Sequence, residues 1–202
     1  MDSAPSCPEN FFRRRDCAVK CIELLKSAVA DQVLPTDGRV MVACSGGQDS
    51  TALLYALSEM PFNWQLVAAT VNHGLHDRAS DACSAVVAHA EALGIPCHVL
   101  EVSPTEVNRG AGTEDGARQA RYRVLENLCM DLAISTIVTA HHAMDQAETV
   151  FMRMLKGTGL KGAGGIPERR GFWSRPWLGL CPSHIAEFVL ARGLSFVADP
   201  TN

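Results

Sequence analysis

Apolar runs alternate with amphipathic segments along most of this chain. Four runs are rich in Val, Ile, Leu and Ala and carry few charges, namely 39–44, 65–72, 97–102 and 136–140. Such runs are typical of strands buried on both faces of a parallel sheet. Apolar residues at helical spacing predict helices at 16–32, 49–59, 80–93, 114–132 and 144–156. The alternation predicts an α/β fold with a doubly wound parallel sheet sandwiched by helices.

The last third of the chain is less regular. It is predicted to add one helix at 182–192 and a short strand at 194–198. Between them and the previous helix, 157–165 holds five glycines in nine residues. The formal Gly-x-Gly-x-x-Gly there follows a helix instead of a strand, so it is not a dinucleotide fingerprint. Ordering such a segment costs about 1–2 kcal/mol per residue, so we predict a mobile loop that folds over a substrate.

The turn after the first predicted strand has the composition of an anion site. It reads Ser45-Gly46-Gly47-Gln48-Asp49-Ser50 and leads directly into a helix. Backbone N–H groups at a helix N-terminus attract anions, and glycines allow close approach. Asp49 would repel a polyphosphate unless a divalent cation lay between them. The residues predict a site for Mg²⁺-bound nucleotide, with an ordinary Ser/Gly-rich connector as the alternative.

Composition narrows the class of protein. Hydrophobic residues make up 47% and charged residues 20% of the 202 residues, which is typical of a folded globular domain. No apolar run has membrane-spanning length, and the start lacks the apolar segment of a signal peptide. None of the eight cysteines forms a Cys-x-x-Cys pair, and Cys44, Cys83, Cys97 and Cys129 fall within predicted strands or helices. We therefore expect reduced thiols, a cytoplasmic location and no membrane partner.

The formal net charge of −4 is unfavourable for a nucleic-acid binder. One stretch differs, because six basic residues stand against Glu168 alone and give a local charge of +5. The six are Arg153, Lys156, Lys161, Arg169, Arg170 and Arg175. This stretch is either an RNA-binding patch or a solvated loop with scattered charge.

Two further segments carry candidate chemistry. His73 and His76 follow the second predicted strand, but no carboxylate or thiolate stands at matching spacing for zinc. Contact with nucleotide or substrate is the favoured interpretation. Glu114, Arg118 and Arg121 fall on one face of a predicted helix. Two guanidiniums there suit the charge of a transferring phosphoryl group, and a surface ion pair of Glu114 with Arg118 is the alternative.

A pair of acids begins the helix after the fourth strand. Asp145 and Glu148 are three residues apart and share a helical face. Acids are electrostatically favoured in a first turn, which alone would explain them. The functional interpretation is a second carboxylate for Mg²⁺ and an acid that holds an ammonium group.

Together these segments resemble the tRNA(Ile)-lysidine synthetase family of PP-loop ATP pyrophosphatases, over about 39–202. The matching motifs are Ser45–Ser50, 72–76, Glu114-x-x-x-Arg118-x-x-Arg121-Tyr122, His141-His142-x-x-Asp145-Gln-x-Glu148, 157–165 and 199–202. Met144 departs from the family, which often has Asp there. The resemblance divides the chain into an N-terminal extension and helix, 1–38, and a PP-loop catalytic domain, 39–202. It also implies that C-terminal tRNA-binding domains are absent from these residues.

The resemblance implies an ATP-dependent ligase that joins free L-lysine to the wobble cytidine of tRNA(Ile) with a CAU anticodon. The reaction passes through an adenylated cytidine and releases pyrophosphate and AMP. The resemblance assigns nucleotide binding to Ser45, Gly46, Gly47, Gln48, Asp49, Ser50, His73 and His141. It assigns Mg²⁺ binding to Asp49 and Asp145, and lysine binding to Asp145 and Glu148. The catalytic residues that it implies are Asp49, Arg118, Arg121 and Asp145. A fragment of this kind is expected to bind ATP-Mg²⁺ and to modify tRNA poorly.

Two other functions stay open. A PP-loop tRNA thiolase is disfavoured because the Cys-x-x-Cys pair typical of a cluster-binding enzyme is missing. A non-catalytic nucleotide sensor is disfavoured because the candidate Mg²⁺ carboxylates and paired arginines are present. The sequence leaves the oligomeric state open, and a homodimer is one alternative.

Overall fold

The computed structural model describes residues 9–72, 77–102, 113–157 and 164–197, and the side chains of 9–18, 77–79, 113–115 and 117 are not described. The helices are α1 (Glu9–Ala30), α2 (Gln48–Ser58), α3 (Asp77–Ala92), α4 (Thr113–Asp131), α5 (Ala143–Leu155) and α6 (Pro182–Arg192). The strands are β1 (Asp37–Ala43), β2 (Asn63–Asn72), β3 (Cys97–Glu101), β4 (Thr136–Val138), β5 (Arg169–Arg170) and β6 (Trp173–Ser174). The expected alternation of strands and helices is confirmed.

The strands form one sheet in the order β3-β2-β1-β4-β6-β5. Every neighbouring pair is parallel except β5 and β6, which form an antiparallel edge. The predicted doubly wound fold is therefore confirmed, with this edge as an addition. The strand order reverses between β1 and β4, and ligands bind at the carboxyl edge of such a switch point. The SGGQDS turn, 45–50, begins at that edge of β1.

Both faces of the sheet are covered by apolar side chains. Val40 and Val42 point to one face and pack with Leu25 of α1, Leu53 of α2 and Phe188 of α6. The adjacent Met41 points to the other face because side chains alternate along a strand. It packs with Leu125 and Cys129 of α4, and with Ile137 and Trp173. None of the described helices combines the length and the hydropathy needed to cross a bilayer.

Helix α1 is an integral part of this core. Cys21 and Leu25 are fully buried. The indole Nε1 of Trp177 donates to the carbonyl of Cys21 at 3.2 Å. Residues 9–30 therefore pack on the sheet domain through α6. The cysteines Cys44, Cys83 and Cys129 are also buried and free, and Cys97 is half-buried, as expected for reduced apolar residues in strands and helices.

Two local predictions were wrong or incomplete. Residues 194–197 form no strand, because their backbone makes isolated hydrogen bonds and no ladder. Leu194 N–H donates to Val189 O at 3.1 Å, and Val197 N–H donates to Gly46 O at 3.0 Å. Ala198 lies outside the described residues. The strands β5 and β6 were not predicted, since two residues each give no periodic pattern.

Candidate active site

A cleft of about 480 Å³ opens at the carboxyl ends of β1, β2 and β4. Its polar lining comprises Ser45, Asp49, Ser50, Thr70, Arg118, Arg121, Tyr122, Thr139, His141, His142, Asp145 and Glu148. Eight of the predicted site residues thus lie in one cleft, although about a hundred positions separate the first from the last in the sequence. Gly46, Gly47 and Gln48 form the turn behind it. His73 lies outside the described residues.

The turn between β1 and α2 is held by the hydroxyl of Ser50. It accepts from Ser45 N–H at 3.1 Å and donates to Gly47 O at 3.2 Å. Gly47 is the N-cap of α2 and provides no side-chain acceptor for the first turn. The N–H groups there are therefore available to an anion. Ser45 is exposed beside them, so its hydroxyl can add a further donor.

Gly46 is confined from both sides. Its φ is +82°, a left-handed conformation that favours glycine. A Cβ at this position would lie 2.8 Å from the carbonyl oxygen of Ala82 in α3. Its own carbonyl accepts the bond from Val197 described above. The first glycine of the motif is therefore required by packing as well as by backbone conformation.

Gly46→Ala is expected to destabilise the protein by at least about 1–2 kcal/mol, the cost of a left-handed non-glycine residue. The contact with Ala82 adds to that cost because it involves backbone. Urea denaturation of the two proteins measures the difference in unfolding free energy. Gly47→Ala is the matched control, since its Cβ would meet only Ser45 Oγ at 3.4 Å and its φ is −78°. Equal losses in both variants would contradict this account.

His142 stands between two carboxylates. Its Nε2 lies 3.5 Å from Asp49 Oδ2, and its Nδ1 lies 3.1 Å from Asp145 Oδ2. The hydrogen bond with Asp49, together with the charges of both acids, raises the pKa of His142 against the opposing effect of burial. Its backbone N–H donates to Asp145 Oδ2 at 2.8 Å, and Met144 N–H donates to its Nδ1 at 3.2 Å. These bonds form a capping box, so Asp145 serves as the first-turn acid that the sequence analysis considered.

The two carboxylates suit Mg²⁺. This ion is commonly held by one or two carboxylates together with substrate phosphates and water. Asp49 and Asp145 are each about one-third exposed, at 34% and 37%, and open to the cleft. No three His, Cys, Asp or Glu side chains among the described residues are grouped as metal ligands. A Mg²⁺ ion here would therefore depend on oxygens of the nucleotide for the rest of its coordination.

Two arginines of α4 face these acids across the cleft. Arg118 donates to Tyr122 Oη at 3.3 Å and lies 5.4 Å from the centre of that ring. Burial and the nearby Arg118 charge lower the pKa of Arg121 from its ordinary value. Within the described side chains, neither arginine forms a salt bridge with a carboxylate. Among the described residues the two guanidiniums are therefore not engaged in direct ion pairs and can contact an anionic ligand, while the acids lie at another part of the cleft. The side chain of Glu114, the alternative partner of Arg118, lies outside the described residues.

A pair of aromatic side chains packs next to Arg118. The ring of Tyr122 packs on Trp173 with centroids 4.1 Å apart, and Trp173 Nε1 donates to Glu126 at 2.6 Å. Sequence reasoning missed Trp173 because the strand that places it has only two residues. His142 was also missed as a site residue, because histidine is not among the usual N-cap residues. Thr70 was detectable as the polar residue near the end of an apolar strand.

His141 is expected to stay neutral at physiological pH. Burial is the main cause that lowers its pKa to about 4; Asp145 opposes the shift, and Arg175, Arg118 and Arg121 add to it. The unfolded chain therefore binds this proton first, from about pH 6.5. Stability should fall as the pH drops from about 6.5 toward 4, and His141→Asn should flatten that decline. Urea midpoints measured across this range would show the difference, and identical curves would contradict it.

The basic stretch from 153 to 175 does not form one surface patch. Arg175 is only 6% exposed and donates through Nη1 to Pro167 O at 3.0 Å. Arg169 is exposed and reaches Gln32 O at 2.7 Å. Lys161 lies outside the described residues. The interpretation of all six as an RNA patch is therefore incorrect for Arg175, because its side chain is buried and bonded to the backbone of the same segment.

Comparison with known proteins agrees with this geometry. The sequence model of the PP-loop domain matches residues 17–202. The chain is 38% identical over 174 residues to tRNA(Ile)-lysidine synthase of Ralstonia nicotianae, covering 81% of this chain and 37% of that protein. It is 35% identical over 189 residues to the Clostridium perfringens enzyme of the same name, covering 91% of this chain and 40% of that one. The chain thus spans about half or less of the length of these relatives.

Solved structures share the fold at low identity. The U34-tRNA thiolase NcsA from Methanococcus maripaludis superposes with a TM-score of 0.75 at 19% identity, covering 93% of this chain and 69% of that one. An NH3-dependent NAD synthetase from Campylobacter jejuni gives a TM-score of 0.59 at 14% identity, covering 90% and 74%. At such identities the likeness concerns the fold alone. The motif-bearing cleft and the match over 17–202 show that this chain belongs to the PP-loop family.

Proposed function

We propose that this chain is the nucleotide-binding, catalytic part of an enzyme that ligates lysine to the wobble cytidine of tRNA(Ile). The observation that carries the proposal is the cleft, where the SGGQDS turn, the carboxylates of Asp49 and Asp145 and the guanidiniums of Arg118 and Arg121 meet. The relatives at 35–38% identity named tRNA(Ile)-lysidine synthase support the same substrate class. The substrates are ATP with Mg²⁺, a tRNA with a CAU anticodon, and free L-lysine.

The first step is adenylation of the base. The C2 oxygen of cytidine attacks the α-phosphate of ATP, an O–P bond forms, and the bond to the β-phosphate breaks with release of pyrophosphate. The free N–H groups of α2 and the Ser45 hydroxyl bind the leaving pyrophosphate. Arg118 and Arg121 stabilise charge on the transferring phosphoryl group. Mg²⁺ on Asp49 and Asp145 would supply further charge neutralisation when bound.

The second step uses the acids of α5. The ε-amine of lysine, in its deprotonated form, attacks C2 and forms a C–N bond; AMP leaves with the electrons of the C2–O bond, and the attacking nitrogen loses a proton to solvent. Asp145 is partly exposed in the cleft and Glu148 lies exposed on the same helical face at its mouth. Two carboxylates one turn apart favour a cationic or amine-bearing substrate at this position. His141 is neutral and can accept or donate a hydrogen bond to the nucleotide without adding charge.

Lysine-dependent chemistry is the test. Protein, ATP, Mg²⁺ and a tRNA(Ile) transcript with a CAU anticodon are mixed, and pyrophosphate, AMP and modified cytidine are measured. We expect modified cytidine and AMP with lysine and much less with ornithine, which is one methylene shorter. Adenylation alone releases at most one pyrophosphate per tRNA, so repeated turnovers of pyrophosphate release without any amino acid would contradict a lysine ligase. No pyrophosphate under any condition, with ATP binding retained, would support the nucleotide sensor.

A thiolase is the second candidate, since the fold of NcsA is shared. Sulfur transfer needs a persulfide or a cluster, and the sequence holds no Cys-x-x-Cys pair. Cluster absorbance in the visible spectrum of the purified protein would favour it. A cytoplasmic location and a homodimer stay predictions.

A further inference from the structure

Helix α5 carries Asp145 and Glu148 but is not held by apolar packing. None of its residues is buried. Its largest apolar side chains face solvent, with Phe151 at 61% and Leu155 at 67% exposure. The position of the two acids therefore depends on polar contacts. The capping box at His142 fixes the start of the helix, but it does not join α5 to residues 164–166.

Gln146 makes that connection. Its Oε1 accepts from Ile166 N–H at 2.5 Å, and its Nε2 donates to Ile166 O at 3.1 Å. One carboxamide thus satisfies both backbone groups of Ile166, as a neighbouring strand would. Arg153, two turns further along α5, donates to the carbonyls of Gly164 and Gly165. Together these bonds form a polar clamp between α5 and 164–166.

The same clamp restricts which side chain position 165 can hold. A Cβ on Gly165 would overlap the carboxamide of Gln146, whereas a Cβ on Gly164 would meet nothing within 4 Å. The φ of Gly165 is not among the positive values, so the backbone alone does not require glycine there. A side chain at this position would instead displace the Gln146 carboxamide from its bonds. Gln146 and Gly165 are therefore complementary in shape as well as in hydrogen bonding.

We propose that Gln146 is a positioning residue for the lysine site. Its bonds to Ile166 fix the first turns of α5, and this placement sets where Glu148 presents its carboxylate to the amine, whereas Asp145 is held separately by the capping box at His142. The role in lysine binding rests on the proposed function, whereas the clamp itself does not. Gln146 does not line the cleft, so it acts through Glu148.

Measuring the two half-reactions separately distinguishes a loss of lysine positioning from a general loss of structure. Gln146→Ala should raise the KM for lysine about 10- to 100-fold, because small displacements of binding groups have effects of this size. Lysine-independent pyrophosphate release, measured in a single turnover with ATP and tRNA, should change less than about threefold. An equal loss in both half-reactions would overturn the proposal, since that is the result of a merely structural role.

A double-mutant cycle tests the contact with Gly165. Gly165→Ala should raise the KM for lysine in the wild-type background by crowding the carboxamide. In the Gln146→Ala background it should add almost nothing, because the crowded group is gone. Gly179→Ala is the matched control, since its Cβ would meet nothing within 4 Å and the residue lies outside the cleft. Additive effects of Gln146→Ala and Gly165→Ala would overturn the proposal.

Amide hydrogen exchange gives a readout that needs no activity. The Ile166 N–H should exchange at least about tenfold faster in Gln146→Ala, because its acceptor is removed. Unchanged exchange would overturn the clamp. If the wild-type protein shows no lysine dependence at all, the proposed function and the lysine role of Gln146 both fail. Ile166 exchange then still decides the clamp separately.

Discussion

Asp49→Asn is expected to reduce ATP- and Mg²⁺-dependent pyrophosphate release by about 10²-fold or more, the scale for loss of one preorganised electrostatic group. The carboxylate lies in the first turn of α2, opens to the cleft and contacts His142. A carboxylate beside a polyphosphate is unfavourable unless a cation lies between them. Replacing it by an amide removes a ligand of that cation, so turnover should fall and half-saturation should need more Mg²⁺.

Asp37→Asn is the matched control for this variant. Asp37 is the first residue of the same strand, β1, at the amino end of the strand, and its side chain is exposed. Its turnover should equal that of the wild type. If Asp49→Asn bound ATP more tightly and reacted at the wild-type rate, Asp49 would merely repel the phosphates, and the assignment of Mg²⁺ to it would be incorrect.

Arg121→Met is expected to lower turnover by about 10²- to 10³-fold, with a smaller effect on ATP affinity. The guanidinium lines the cleft, and its pKa is lowered mainly by burial. A half-buried positive charge with no carboxylate partner among the described side chains is available to stabilise charge that develops in a transition state. Met keeps the length of the stem and removes only the charge and the donors.

Arg123→Met on the same helix provides the comparison. Arg123 is exposed and does not line the cleft. Steady-state rates of the two variants should differ by at least about 10²-fold at saturating ATP. Equal rates would show that the charge of α4 as a whole matters, and not the position of Arg121.

The central sheet was predictable because its strands are long apolar runs separated by amphipathic helices. Parallel strands place their carboxyl ends at one edge, so the meeting of the Ser45–Ser50 turn with Asp145 followed from the fold class. The strands β5 and β6 could not be predicted, because two residues each give no periodic pattern; β6 forms by pairing with β4, and β5 by pairing with β6. The stretch 194–198 has the apolar composition of a strand, but its described part, 194–197, is joined to other elements only by single backbone hydrogen bonds.

Site residues were predictable where a sequence motif indicates a specific chemistry. Asp49 and the paired arginines belong to this group, and the structure places them in the same cleft. His142 was missed because histidine is not among the usual N-cap residues, so its capping box carried little signal. The buried position of Arg175 could not be inferred either, since a charged residue in a basic stretch favours a solvated interpretation.

The confinement of Gly46 has a consequence for nucleotide affinity. Ala82 contacts its α-carbon side and Val197 holds its carbonyl, so segments distant in sequence fix one peptide of the phosphate-binding turn. The turn therefore loses its conformational freedom when the chain folds and not when ATP arrives. Binding energy that a flexible loop would spend on its own ordering stays available to the complex. Loosening 194–197 should weaken ATP binding without touching any residue that contacts the nucleotide.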